Sequence, residues 1–383
     1  MRKIAQLAYS GPSGAADLGV TLALAGQRAG VPQTLALWGV ENCPADRLAR
    51  CQAGGIPTQV FQKKHGSDMK GQQPIKAWMA AQADADAFIV HYPASLIPLR
   101  RVFKGRKRPR IILVEHNAIM MKRPHHWMLS ALAFSLCDGV VYLTESYRRQ
   151  TIKKLGPFYR NRKATVIANG LDFTHYPRRD PAAWRDDSKP FTFGMSSRMA
   201  AAKDYGMLLQ AFALLCKREA AAQPAGSHAT EAPALHLELA GDGPTRPHLE
   251  ELTDRLGIRA HVTFAGHLPH AQLLQRMASW DAFVLATLGE TQPLALMEAM
   301  AIGLPCIASN AAGVNDLLVH GENGLMPPVL DAQGLSDAMA SVLHDPALRQ
   351  RIATTGSKEM LNNYSADSMW NNYHNFIDYL NNK

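Results

Sequence analysis

Residues Trp280–Asn310 read WDAFVLATLGETQPLALMEAMAIGLPCIASN. Ala282–Ala286 is a short apolar run, the pattern of a buried strand. A turn follows at Gly289 and Glu290, and Pro293 suits the first turn of a helix. Leu294–Ile302 is apolar on nearly every face, so the helix it forms is covered all round. Pro305–Ala308 is a second apolar run. Strand, helix and strand in succession imply a parallel sheet covered on both faces.

The same alternation extends outward to both ends of the chain. Strand-like runs occur at Ile4–Ala8, Thr34–Trp38, Ala87–His91, Ile111–Val114, Val140–Leu143 and Ala164–Ile167, and again at Phe191–Met195, Leu235–Ala240 and Val262–Ala265. Helical periods lie between many of them, including Leu18–Ala29, Trp127–Cys137 and Met207–Cys216. About a dozen strands exceed one sheet of this kind, so two doubly wound α/β halves are expected, with ligands beyond the carboxyl ends of the strands. The break is expected in Tyr176–Lys189, YPRRDPAAWRDDSK, which is polar and carries two prolines. The expected division is a first domain at 1–176, a linker at 177–190, a second domain at 191–364 and a terminal helix at 365–383. That helix has Ser365 as its N-cap and an apolar stripe of Met369, Trp370, Tyr373, Phe376, Ile377 and Leu380, and should pack back toward the first domain. Ala220–Pro233, rich in Ala, Pro, Gly and Ser, reads as an exposed loop.

The length of 383 residues agrees with two domains, and 47% hydrophobic residues exclude a disordered or fibrous chain. The net charge of +9 is unevenly spread. Residues 1–190 hold 29 Lys and Arg against 13 Asp and Glu, a formal +16; the rest of the chain is −7. Five scattered cysteines without CxxC spacing argue against a disulfide framework or zinc site and for a reducing cytoplasm. The amino terminus reads as a first strand rather than a signal peptide. No apolar run reaches the roughly 18 residues of a membrane span.

The chemistry starts from Glu298. A carboxylate in the middle of a buried helix must find hydrogen-bond partners. Glu290 stands eight residues earlier, just before the helix, whose N-terminal amides form an anion site. Carboxylates accept hydrogen bonds from hydroxyls, so the pair suits sugar or ribose.

This Glu290–Glu298 spacing, with EAMAIGLPCIAS, Gly313, HGENGLM at His320–Met326 and VIANGLD at Val166–Asp172, resembles the E-x7-E motif and flanks of retaining GT-B glycosyltransferases of the family 4 type. The resemblance implies two Rossmann-like domains facing each other across a cleft. It also assigns roles. Arg198 and Lys203, in GMSSRMAAAKDYG, clamp the donor diphosphate and stabilise charge as the nucleotide leaves. Glu298 holds the ribose and Glu290 the sugar hydroxyls, with Thr291, Gln292 and Leu294 beside them. Gly241 and Gly243, in a Gly-Asp-Gly-Pro turn, lie near the nucleotide; turn chemistry alone accounts equally well for Asp242. Gly14, in the loop Ser10–Ala16, permits close backbone approach. His116, in Val-Glu-His-Asn after a strand, positions the donor sugar. Ser13, Asn117 and Thr144 are candidates for the acceptor side.

Asp84-Ala85-Asp86 spells a D-x-D but precedes a strand instead of following one, so it reads as a turn. No metal site and no cofactor beyond the donor are expected. Arg100–Arg110, Lys122-Arg123, Arg148–Lys154 and Arg160–Lys163 concentrate positive charge, which fits an anionic membrane surface at roughly 1 kcal/mol per cation. Nucleic acid is disfavoured, because no RRM, KH or zinc-knuckle pattern occurs. The expected function is transfer of a hexose or N-acetylhexosamine from a nucleotide diphosphate sugar, UDP-linked by preference, to a glycan hydroxyl. The acceptor is expected to be lipid-linked, as in lipopolysaccharide or capsule synthesis, at the inner face of the cell membrane. The alternatives are a GT-B epimerase or phosphorylase, and a non-catalytic binding protein with a basic docking face.

Overall fold

The computed structural model describes residues 3–11, 14–63, 72–105, 108–116, 122–159, 163–180, 188–222 and 235–382. The chain divides into two compact units, Met1–Asp172 with Tyr364–Lys383, and Phe173–Asn363. Together with two Rossmann-like parallel sheets, this is the GT-B type of α/β fold.

The first unit holds seven parallel strands: β1 (Ile4–Ala8), β2 (Gln33–Gly39), β3 (Thr58–Gln62), β4 (Ala87–Val90), β5 (Arg110–Glu115), β6 (Gly139–Tyr142) and β7 (Ala164–Val166). Their order is β3-β2-β1-β4-β5-β6-β7. Neighbouring side chains point to opposite faces. Ile111 and Leu113 join a core with Phe88, Phe134, Tyr142 and Tyr147. Ile112 and Val114 join another with Ile89 and Val141. The helix Ala366–Asn381 closes this second core with Met369, Trp370, Tyr373, Phe376, Ile377 and Leu380. Each such buried side chain contributes roughly 1.5–3 kcal/mol, so the helix is an integral layer of this unit. Ser365 caps it, accepting from the Ser368 amide at 3.0 Å.

The second unit holds β8 (Phe191–Ser196), β9 (Leu235–Ala240), β10 (Val262–Gly266), β11 (Ala282–Leu285) and β12 (Cys306–Ala308), all parallel, in the order β10-β9-β8-β11-β12. Succession runs one way from β8 to β10 and the other way from β11 to β12. The loops leaving β8 and β11 therefore diverge at a topological switch point.

Two features differ from the sequence reading. The strand β3 was not expected, because TQVFQ is polar and largely exposed at the sheet edge. The chain also enters the second unit at Phe173, ahead of the expected linker. Tyr176 and Arg179 explain this: the Tyr176 hydroxyl donates to Glu298 at 3.4 Å and the Arg179 amide to the Ile302 carbonyl at 2.8 Å. The two crossings lie side by side. The Leu171 amide donates to the Tyr364 carbonyl, and the Ala366 amide to the Leu171 carbonyl, both at 2.8 Å. Most of the Ala220–Pro233 stretch lies outside the described residues.

Candidate functional site

In the second unit the loops after β8 and β11 are stitched together at the switch point. The Leu288 amide donates to the Ala202 carbonyl at 3.1 Å, and the Asp204 amide to the Ala286 carbonyl at 3.0 Å. This brings Lys203 onto Glu290, and the two form an ion pair with side chains only 21% and 13% exposed. The Thr287 hydroxyl lies 3.0 Å from the same carboxylate oxygen. Behind Glu290, its amide donates to the Ala312 carbonyl at 2.9 Å. Gly313 has φ +80°, and a Cβ there would lie 2.3 Å from the Glu290 carbonyl oxygen. Glycine is thus required for this backbone approach.

Glu298 is buried in the helix Leu294–Ile302 and has the partners its burial demands. His270 Nε2 lies 2.8 Å from its Oε1, and the Tyr176 hydroxyl donates to the same atom. The helix begins after Pro293 without a side-chain cap. Leu294 and Thr291 are half-buried at this start, and Gln292 is buried.

The turn after β9 supports the Arg198 loop. Gly241 has φ +134°, and a Cβ there would lie 2.0 Å from the Ser197 carbonyl oxygen. A Cβ at Gly243 would lie 2.2 Å from that of Met199. The Met199 amide donates to the Asp242 carbonyl at 2.9 Å. Arg198 is exposed between these two clamped neighbours. Asp242 is engaged locally, accepting from its neighbour's amide at 2.7 Å and pairing with Arg246 at 3.3 Å. Arg198, Lys203, Glu290, Glu298, Gly241 and Gly243 thus come to one edge of one sheet.

His116 lies in the first unit, at the carboxyl end of β5. Its Nε2 is 3.0 Å from Nδ1 of His91, which follows β4, and the two rings stack at 5.3 Å. His91 Nε2 lies 3.2 Å from the Gln6 side-chain amide. Burial depresses both imidazoles, His116 to about 4; for His91 the neighbouring His116 adds to the effect. Both rings are therefore neutral at neutral pH, each with one donor and one acceptor nitrogen.

Just before His116, Glu115 is fully buried and pairs with Lys122 at 2.9 Å; Ser130 lies 3.0 Å from the ammonium. Gly14 opens the first helix, Gly14–Arg28. The loop before that helix is anchored by Arg47, 1% exposed, which donates to the Ser10 and Gly11 carbonyls at 2.9 Å and grips the Asp17 carboxylate. Thr144 is buried and caps the helix Glu145–Leu155, so its hydroxyl serves the fold. Ser13 and Asn117 lie outside the described residues. His91, Gln6, Arg47, His270 and Tyr176 were not singled out from sequence. Tyr176 was hidden in a stretch that reads as linker, and His270 at an ordinary helix start.

Asp84 pairs with Lys3 at 2.9 Å, and Asp86 accepts from the Lys3 amide at 3.1 Å, so the D-x-D secures β1. Among the described residues, no cluster of three or more His, Cys, Asp or Glu is placed to hold a metal ion, and no helix is long and apolar enough to cross a membrane. All five cysteines are free thiols.

Two family models match the chain. Glycosyltransferase Family 4 covers residues 13–175, and Glycosyl transferases group 1 covers residues 178–359. The chain is 35% identical over 143 residues to the lipopolysaccharide core biosynthesis glycosyltransferase LpsD of Rhizobium meliloti, covering 37% of this chain and 41% of that relative. It is 27% identical over 227 residues to a glycogen synthase of Mycobacterium tuberculosis, covering 59% of this chain and 50% of that relative. The matches thus span about half or less of these relatives. Among solved structures, Anabaena HepE in complex with UDP and glucose superimposes with a TM-score of 0.81 at 19% identity, over 99% of this chain and 100% of that one.

Proposed function

Because the chain belongs to the glycosyltransferases of the family 4 type, we propose that it transfers a hexose or N-acetylhexosamine from a nucleotide diphosphate sugar to a glycan hydroxyl, with retention of configuration. The observation that carries the reading is the Lys203–Glu290 pair at the switch point, with the buried Glu298 on the adjoining helix.

Arg198 and Lys203 take the donor diphosphate, one as a forked guanidinium and one as a point charge. Their fixed positive charge stabilises the leaving nucleotide, and such preorganised electrostatics is commonly the largest catalytic contribution. This assigns the charge neutralisation to side chains, and the reaction is read as needing no metal or further cofactor. Glu298, aligned by His270 and Tyr176, accepts from the ribose hydroxyls. Glu290 accepts from the sugar, with Gln292, Thr291 and Leu294 beside it. The Gly241–Gly243 turn and Gly14 allow close backbone approach. His116 positions the donor sugar. The leaving phosphate takes the acceptor proton, so the retaining step needs no protein nucleophile.

A UDP-sugar is the favoured donor, supported by the UDP and glucose complex of the HepE neighbour. A lipid-linked surface glycan is the favoured acceptor, supported by the likeness to a lipopolysaccharide core enzyme and by the charge of the first unit. That unit carries 26 Lys and Arg against 12 Asp and Glu, the other 15 against 20. An anionic membrane at the cytoplasmic face is the proposed working place, and nucleic acid is not a proposed partner. The test is donor hydrolysis and transfer with purified protein across nucleotide sugars. Glu298→Ala and Arg198→Ala should each abolish most turnover; unchanged turnover in both would remove the site assignment.

A further inference from the structure

The helix Pro124–Leu136 faces the core of the first unit with Ala133 and Phe134, and Trp127 and Ala131 pack partly against that core. Its opposite side is not the polar surface that such packing normally leaves. His125, Met128, Leu132 and Ser135 are all exposed, at the spacing of one helical face. Met128 is 74% and Leu132 45% exposed. A third large apolar side chain, Phe158, is 70% exposed in the short turn Gly156–Phe158. That turn abuts the same helix, because the next residue, Tyr159, sets its ring 5.7 Å from that of Phe134.

Exposed cations lie on the segments that adjoin this helix and this turn. Arg123 precedes the helix, and Lys153 and Lys154 sit in the last turn of Glu145–Leu155, which leads directly into Phe158. Arg101 and Lys104 are exposed on and just after the helix Leu96–Val102, which packs against Pro124–Leu136. The nearby carboxylates are already engaged: Glu145 holds Arg148 and Arg149, and Asp138 holds Arg108. Single exposed apolar residues are ordinary. An exposed apolar pair on a helix, with an exposed Phe in the adjoining turn and Lys and Arg on the adjoining segments, has the chemistry of an interfacial anchor.

We propose that this face docks on an anionic lipid bilayer, with Met128, Leu132 and Phe158 entering the headgroup boundary and Arg101, Lys104, Arg123, Lys153 and Lys154 meeting lipid phosphates. The proposal deepens the reading of a membrane-borne acceptor by naming the surface that would reach it.

The experiment is sedimentation of the full chain with vesicles of phosphatidylcholine alone and with about one-third phosphatidylglycerol, at low and high salt. The chain should bind the anionic vesicles, release at high salt and ignore the neutral ones. Met128→Ser with Leu132→Ser, Phe158→Ser, and Lys153→Glu with Lys154→Glu should each weaken binding roughly tenfold or more. The lysine pair is exposed, so its replacement tests the face even if an apolar variant folds poorly. Thermal melting and transfer to a soluble acceptor without vesicles should stay at the wild-type level. Equal binding to neutral vesicles, or variants that sediment like the parent, would overturn the proposal. So would apolar variants that dissociate a dimer in sedimentation velocity without changing vesicle binding, since a second copy would then be the occupant. Loss of transfer to a soluble acceptor in the parent chain would count against the transfer reading alone, because vesicle binding does not require turnover.

Discussion

Replacing Lys203 by Met should separate the two jobs of that ammonium. In the resting protein it neutralises Glu290, whose side chain is 13% exposed and has the Thr287 hydroxyl at 3.0 Å. In the proposed complex it meets the donor diphosphate. A hydrogen bond to a charged group is worth about 1.5–3 kcal/mol, which converts to roughly 12- to 160-fold in affinity. Titration calorimetry with UDP should therefore show a loss within that range. The same variant leaves Glu290 without its cation, still held by Thr287 and partly wet, which should cost about 1–3 kcal/mol in the second unit. Adding Glu290→Gln removes the stranded charge and keeps the Thr287 contact. The double variant should recover most of the denaturant midpoint and none of the UDP affinity. UDP binding within threefold of wild type in Lys203→Met would refute the diphosphate role. A double variant as unstable as the single one would refute the account of the ion pair.

The neutral imidazoles of His91 and His116 make the first unit sensitive to acid. Their folded pKa values lie below the unfolded value of 6.5, so the unfolded chain binds more protons. Their stabilising contribution is present above about pH 6.5 and is lost as the pH falls below it, for His116 on the way to about 4. Urea unfolding across that window should flatten in His91→Asn relative to wild type; equal slopes would be inconsistent with burial of the pair. Gly313→Ala forces an L-residue to φ +80° with its Cβ against the Glu290 carbonyl. It should cost about 1–2 kcal/mol from conformation, and more from crowding, and calorimetry should show weakened UDP binding. Arg47→Met strips the Ser10 and Gly11 carbonyls of a donor and leaves the half-exposed Asp17 with Arg50 at 3.7 Å; it should destabilise the first unit by about 1–3 kcal/mol, measured by urea titration followed by tryptophan fluorescence. A loss below about 1 kcal/mol would mean that water replaces the guanidinium at no cost.

The strands buried on both faces were legible because they form unbroken apolar runs. The exposed edge strand β3 was not, because no residue of Thr58–Gln62 is buried and three of the five are exposed. The need of Glu298 for partners was also legible, since a carboxylate in an all-apolar helix has no other way to be buried. The partners themselves were not. His270 and Tyr176 reach it from 28 and 122 residues away, a distance that no local spacing rule spans. The pairing of Lys203 with Glu290, 87 positions apart, depends in the same way on the crossing of two loops. The polar YPRRDPAAWRDDSK read as a linker by composition, yet its first residues are hydrogen-bonded into the second unit. Composition reports exposure on average, and single hydrogen bonds decide where a segment belongs.

The helix Ala366–Asn381 completes the core beneath β4, β5 and β6. On the ribosome this reverses the order of synthesis. The unit whose strands emerge first cannot close its core until those last helical residues have cleared the exit tunnel. The unit translated second, Phe173–Asn363, is a continuous stretch and can fold while the first still waits. During that interval Ile89, Ile112 and Val141 lack the cover that this helix gives them, and apolar surface left open in this way is what makes folding intermediates prone to aggregate.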